Sequence, residues 1–389
     1  MPSLTAGDYS LLSVLFLAEF SRSAFFISFL PLYTTEFLGW GLATAGAAAS
    51  AHYITETLLK FIAGWQFDRF GRTVIQGGLV VCLLSLAVPR IYSHPALIIL
   101  SAAIFGLGLS PLWIGVITGV APAQKKDRSP RVSLVFAAWL AGMGSGLSLI
   151  NFFLSVSYDL AYSVIAGIML AGFFISLTFP PRPAAGGAGP GPITPVIFKI
   201  ISNRYLARLL LPGMFLQTLS AGIMIPVLPV FATKKMGLSH DSYGTLLLAG
   251  GAATVASLIP MGRLADRMNT KVLLFTGFLS SSAALAVLAI AGNSSNSLLI
   301  VMALGISYAA VLPAWNTLLA KSIPPERQAT GWGLFSTVEG LGISAGPVIG
   351  GFLARGLSPG GVLLITSGIL FIMAFFYLLY PLENFRNKG

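Results

Sequence analysis

Twelve runs of about 20 mostly apolar residues follow one another through this chain, each long enough to cross a bilayer as a helix. They lie near residues 9–34, 41–65, 73–92, 96–121, 131–153, 158–179, 204–231, 242–263, 271–291, 297–320, 328–354 and 359–380. Backbone polar groups cannot stay unpaired in lipid, so a spanning chain forms either helices or a closed barrel. The runs are continuous rather than alternating, which argues against a barrel. The first run carries Glu19 and Arg22 inside it and lacks a basic leader, so it reads as a span and not as a cleavable signal. Composition agrees: 56% of the 389 residues are hydrophobic and only 9% charged, against about 25% charged in soluble domains. The sequence therefore predicts an all-α membrane protein with twelve transmembrane helices.

A net charge of +11 raises the question of nucleic acid, but the basic residues sit in short connections between apolar runs. Seventeen of the 23 Lys and Arg residues fall on one face of the predicted topology and four on the other. The positive-inside rule places the rich face, and with it both termini, in the cytoplasm. The expected partners are the bilayer itself, protons and an amphipathic or lipid-linked small molecule, with no nucleic acid, and the chain reads as a monomer. A single cysteine, Cys82, and three scattered histidines leave no basis for a disulfide framework or a zinc site.

The chain divides into two. Residues 180–200 hold the one Pro/Gly/Ala-rich stretch (PPRPAAGGAGPGPITP) and read as a cytoplasmic linker between a six-helix bundle at 1–179 and another at 201–389. A shift of 198 residues carries Pro31 onto Pro229, Gly39 onto Gly237, Gly64 onto Gly262, Asp68 onto Asp266 and Arg69 onto Arg267 without a gap. A shift of 202 lays Pro111 and Trp113 onto Pro313 and Trp315. Parallel repeats of this kind build a central site at the interface of the halves.

Between the second and third spans the chain reads GWQFDRFGR, from Gly64 through Asp68, Arg69 and Gly71 to Arg72; a degenerate copy with Asp266 and Arg267 follows span eight. With twelve spans, a central linker and the duplication, the chain resembles the major facilitator superfamily. That resemblance implies two pseudo-symmetric bundles, alternating access driven by a proton gradient without a cofactor, and a cytoplasmic latch at this loop. The alternative is loop charge that only sets topology. Span eleven carries GISAGPVIGG, Gly342 to Gly351, similar to a glycine-proline motif that the antiporter branch places on span five. Its small residues suit close helix packing.

Ionisable groups within spans are costly and point to function. Glu19 and Arg22 stand three apart on span one, and His52, Glu56 and Lys60 four apart on span two, each set on one helix face. Matching depths allow one polar cluster. Two readings stand open: ion pairs that pin the helices together, or a proton-exchanging Glu19 or Glu56 beside an Arg22 that binds a headgroup. Lys60 lies near the cytoplasmic end and ranks below the others. Trp113 and Trp139 offer aromatic faces for a sugar or an apolar ligand, or serve as packing. The repeat equivalents of Glu19, Arg22, His52 and Glu56 are Gln217, Ser220, Gly250 and Thr254, so in the second half Glu339 stands as the buried acid. Glu339 is either a second proton site or a protonated, hydrogen-bonded acid.

Glu-x-x-Arg on span one, an acid on span two and tryptophans on spans four and five further resemble the proton-coupled glycolipid flippases of lipoteichoic-acid synthesis. This implies a bacterial plasma-membrane transporter with a sugar pocket in the first half and room for acyl chains in the second. A drug/proton antiporter is the alternative, disfavoured by the absence of arginine from span four. No enzyme motif or continuous polar pore is present in the sequence.

Overall fold

The computed structural model describes residues 4–121, 128–179, 210–292, 296–322 and 328–379. Twelve long helices run through them: α1 Ala6–Phe37, α2 Leu42–Phe70, α3 Arg72–Ile91, α4 Pro95–Val120, α5 Arg128–Leu154, α6 Tyr158–Ser176, α7 Leu211–Lys235, α8 His240–Arg267, α9 Thr270–Ala291, α10 Ser297–Ser322, α11 Gln328–Gly356 and α12 Pro359–Leu379. The linker expected at 180–200 lies outside the described residues. Among the described residues nine stretches are long and apolar enough, by length and composition, to cross a membrane, and Ser297–Leu312 of α10 is a shorter apolar one. α2 carries His52, Glu56 and Lys60 along its length.

The duplication is visible in the backbone. α1 and α7 each end in a π-helical turn, Tyr33–Phe37 and Phe231–Lys235, 198 residues apart. Each turn is followed by a glycine in the left-handed region, Gly39 at φ 69° and Gly237 at φ 67°. The closing hydrogen bonds match too: Leu38 N–H donates to Tyr33 O and Trp40 N–H to Thr34 O, as Met236 does to Phe231 and Leu238 to Ala232. Here the glycine is required, because a left-handed φ burdens any residue with a Cβ.

Small residues let the helices approach to backbone contact. The glycines of α11 do so on two sides. A Cβ added at Gly342, Gly346 or Gly350 would strike α7 at Phe215, Gly222 or Ile223, while Gly351 and Pro347 press on Leu42 and Gly46 of α2. The α11 motif therefore packs one helix of the first half and one of the second. Gly346→Leu is expected to destabilise the purified protein by at least the roughly 1–3 kcal/mol of an overpacked core. Thermal unfolding in detergent checks this, and an unchanged midpoint would contradict the packing.

One buried ion pair was not expected. Arg131, one of the seventeen basic residues counted on the cytoplasmic face, is fully buried in the first turn of α5. It donates to Asp8 of α1 at 3.0 Å and to Val120 O at 3.1 Å. Asp8 also closes the capping box of α1 with Thr5. A charge buried this deeply holds only when paired and hydrogen-bonded, and here it fixes where α1, α4 and α5 begin and end.

Candidate transport site

α1 turns Glu19 and Arg22 to the interior, where both are buried at 5% and 6% exposure. Arg22 Nε donates to Glu19 Oε2 at 2.8 Å, and Nη2 makes a second bond to the same oxygen. Close packing on α5 aims the pair: Gly142 lies against Phe16 O and the Cβ of Glu19, and Gly146 against Phe20 O and Ser23. Ser23 and Ser28 of α1 hydrogen-bond the backbone carbonyls of Met143 and Leu147, completing that seam. The guanidinium of Arg22 also lies over the Tyr53 ring of α2, 5.5 Å from its centre, a cation–π contact.

On α2, Glu56 lies between two bases. Lys60 Nζ is 3.3 Å from Glu56 Oε1, and His52 Nε2 is 3.5 Å from Oε2. The charges of Glu56 and Lys60 interact with those of Glu19 and Arg22, so Tyr53 and electrostatics join the two helix faces into one polar cluster. His52 sits differently from its expected cavity-lining place. It is fully buried, stacked on Phe26 with ring centres 4.3 Å apart and flanked edge-on by Phe105 at 5.5 Å. Neither ring nitrogen makes a hydrogen bond. Gly106 of α4 makes this possible by packing on His52 O, with no room for a Cβ.

Trp113 and Trp139 do come together, their rings edge to face at 6.1 Å, with Phe136 at 5.1 Å from Trp113. Both are only half-buried, leaving aromatic surface free. Trp315, the repeat counterpart of Trp113, is buried and packs edge-on against Tyr377. The duplicated tryptophan is thus core in one half and open in the other. Glu339 of α11 is partly buried and faces across to the first half, where its charge interacts with Lys60. Next to it, Gly340 packs on Thr57 of α2. Lys60 therefore stands between acids of both halves.

In the loop motif, the packing of Gly64 and the side chains of Asp68 and Asp266 lie outside what the structure describes. Gly71 joins α2 to α3 at φ 62°, ψ −137°, a conformation open essentially to glycine alone. Its repeat partner Asn269 has φ −64° and caps α9 through Lys271 N–H instead. Arg72 donates to Phe179 O, just past the end of α6, tying the turn to that helix. Arg69 lies over the Phe70 ring at 5.2 Å, and Arg69 and Arg267 are both exposed.

A second polar hub escaped sequence reading. Glu36, in the last turn of α1, bonds Tyr158 of α6 and Thr233 of α7, and meets His240 of α8. No helical spacing within one segment brings these together, and only the repeat, which pairs the ends of α1 and α7, hints at it.

Twelve helices in two repeated sets, with buried charges facing the seam between them, define a secondary transporter. The family model for the Major Facilitator Superfamily matches residues 11–213 and again 210–389, and the chain belongs to that superfamily. Among its relatives is the proton-coupled antiporter flippase LtaA of Staphylococcus haemolyticus (strain JCSC1435), 29% identical over 397 residues, covering 97% of this chain and 95% of the relative. LtaA of Staphylococcus aureus (strain N315) is 26% identical over 394 residues, covering 97% and 96%. The fold is also that of the nucleoside transporter NupG, whose crystal structure superposes with a TM-score of 0.79 at 14% identity, covering 99% of this chain and 100% of that one. The chain is a multi-pass membrane transporter, not an enzyme.

Proposed function

We propose that this transporter exchanges protons for a lipid-linked sugar, flipping it between leaflets by alternating access. The observation that carries the reading is the asymmetry of the seam. Glu19, Arg22, Glu56 and Lys60 form a connected polar cluster in the first half, whereas Gln217, Ser220, Thr254 and Leu258 hold the matching places in the second. An amphiphile fits such a seam, with its sugar hydroxyls at the charges and at the open faces of Trp113 and Trp139, and its chains against the apolar half. Proton exchange is assigned to Glu19 and Glu56, with Glu339 the acid on the facing half. The relatives named proton-coupled antiporter flippases match along nearly the whole chain, which supports the same reading.

Alternating access needs the halves to separate at one end while they meet at the other. Among the described residues, contacts between the halves at the Glu36 end include Val348 N–H donating to Ser50 Oγ at 2.9 Å and Gly244 packing on Ser148 and Asn151. With both termini in the cytoplasm, as the Lys/Arg bias indicates, that end faces outward.

The test is transport in liposomes under a pH gradient, with a fluorescent diglycosyl lipid, a phospholipid and a cationic dye compared side by side. The glycolipid is expected to move and the dye not; dye movement alone would replace this reading with drug antiport. Trp113→Ala is expected to weaken glycolipid transport about five- to tenfold, the loss of one aromatic platform worth roughly 1–1.5 kcal/mol. Initial rates against lipid concentration check it.

A further inference from the structure

The Glu36 hub has no part in binding or proton exchange as proposed above, yet it is the most heavily bonded carboxylate joining the halves among the described residues. Tyr158 Oη donates to Oε2 at 2.8 Å and Thr233 Oγ1 to Oε1 at 2.6 Å, while His240 Nε2 lies 3.0 Å from Oε2. Tyr158 belongs to the same half as Glu36; Thr233 and His240 belong to the other. The place is set by the repeat. Glu36 and Thr233 occupy corresponding π-helical turns at the ends of α1 and α7, and Thr233 is the repeat partner of Thr35. Lys234 is the repeat partner of Glu36 and is exposed, so one acid serves donors from both halves.

The surroundings hold the carboxylate in place. Tyr158 packs edge-on to His240 at 6.1 Å and lies beside Phe37 at 5.5 Å and Tyr33 at 6.0 Å. Of the other charged groups at this end, Asp241 follows His240 on α8 and interacts with it, Arg90 and Asp159 pair with each other at 2.8 Å, and Lys234 and Lys235 are exposed. Among the described residues His240 therefore meets two acids, Glu36 and Asp241, and no base.

We propose that Glu36, Thr233 and His240 form a lock between the two halves, and that mild acid tightens it by placing a charge on His240. Histidine is the side chain that gains charge in mild acid. A neutral imidazole gives the Glu36 carboxylate a hydrogen bond from an uncharged donor; an imidazolium gives it one between opposite charges. The pair is partly exposed, so solvent screens it, and tightening is expected to shift the closed-to-open ratio roughly fivefold, equivalent to about 1 kcal/mol.

The test follows the distance between spin labels at Tyr92, after α3, and Leu357, after α11, in a Cys82→Ser/Glu19→Gln/Glu56→Gln background, so that the ratio of states no longer answers to the two transport acids and this protein serves as the parent. Both positions are exposed and stand at this end of opposite halves. In nanodiscs pH is the same on both sides, so the outcome depends on neither orientation nor substrate, and a failed flippase assay leaves it standing. Going from about pH 8 to about pH 5.5, the short-distance population of the parent protein is expected to grow about fivefold relative to the long. His240→Gln keeps a hydrogen-bonding side chain and should remove that response. Glu36→Gln should raise the long-distance population at both pH values. A pH response that persists in His240→Gln would overturn the proposal, as would a folded Glu36→Gln protein with the parent distribution. If Glu36→Gln fails to elute as a folded monodisperse protein, the His240→Gln response alone decides.

Discussion

Arg22→Ala will lower the unfolding temperature of the purified transporter and remove its glycolipid binding together. Arg22 is buried, bonded twice to Glu19 and laid over Tyr53. Removing one partner of such a pair leaves the other charge uncompensated, a loss of about 3–5 kcal/mol. Arg22→Lys keeps the charge but not the planar fork, so it is expected to recover part of the stability and little of the binding. Thermal unfolding and binding of a labelled diglycosyl lipid, measured on the same preparations, give the result. If Arg22→Ala binds with parent affinity, the pair is only a pin between α1 and its neighbours.

The second large effect is the loss of coupling. Glu19→Gln combined with Glu56→Gln keeps the shape and much of the hydrogen bonding of both side chains while holding them neutral. The double variant is expected to exchange glycolipid passively down its gradient and to ignore a pH gradient. Even one unit of change in proton affinity between the two states is worth about 1.4 kcal/mol, or roughly tenfold in their ratio. Single variants rank the acids. Glu19 is expected to matter more, since Arg22 bonds it directly, whereas Glu56 shares Lys60 and His52. If the double variant still responds to pH, Glu339 is the next acid to replace.

What the sequence reveals depends on how far apart the interacting residues lie. Twelve spans were legible because each is one local run, and the observed helices begin and end within a few residues of them, α7 starting later in its described part. The same holds for Glu19 with Arg22 and for Glu56 with Lys60, whose spacing alone puts them on one face. What escaped was tertiary. Asp8 and Arg131 stand 123 residues apart, and a positive charge beside a loop reads as topology until burial is known. His52 offered the right spacing for the cluster, but no pattern foretold Phe26 and Phe105 enclosing it. The Glu36 hub draws on three other helices, and pairing across the seam has no local signature.

The central claim is that proton movement and lipid movement are one process. The most direct measurement traps a pH-sensitive dye inside proteoliposomes at equal pH on both sides and then adds diglycosyl lipid to the outer leaflet. The account predicts proton flux that begins on addition of the lipid, scales with its concentration and is absent from the Glu19→Gln/Glu56→Gln protein. Glycolipid that reaches the inner leaflet at the parent rate with no proton flux would contradict it.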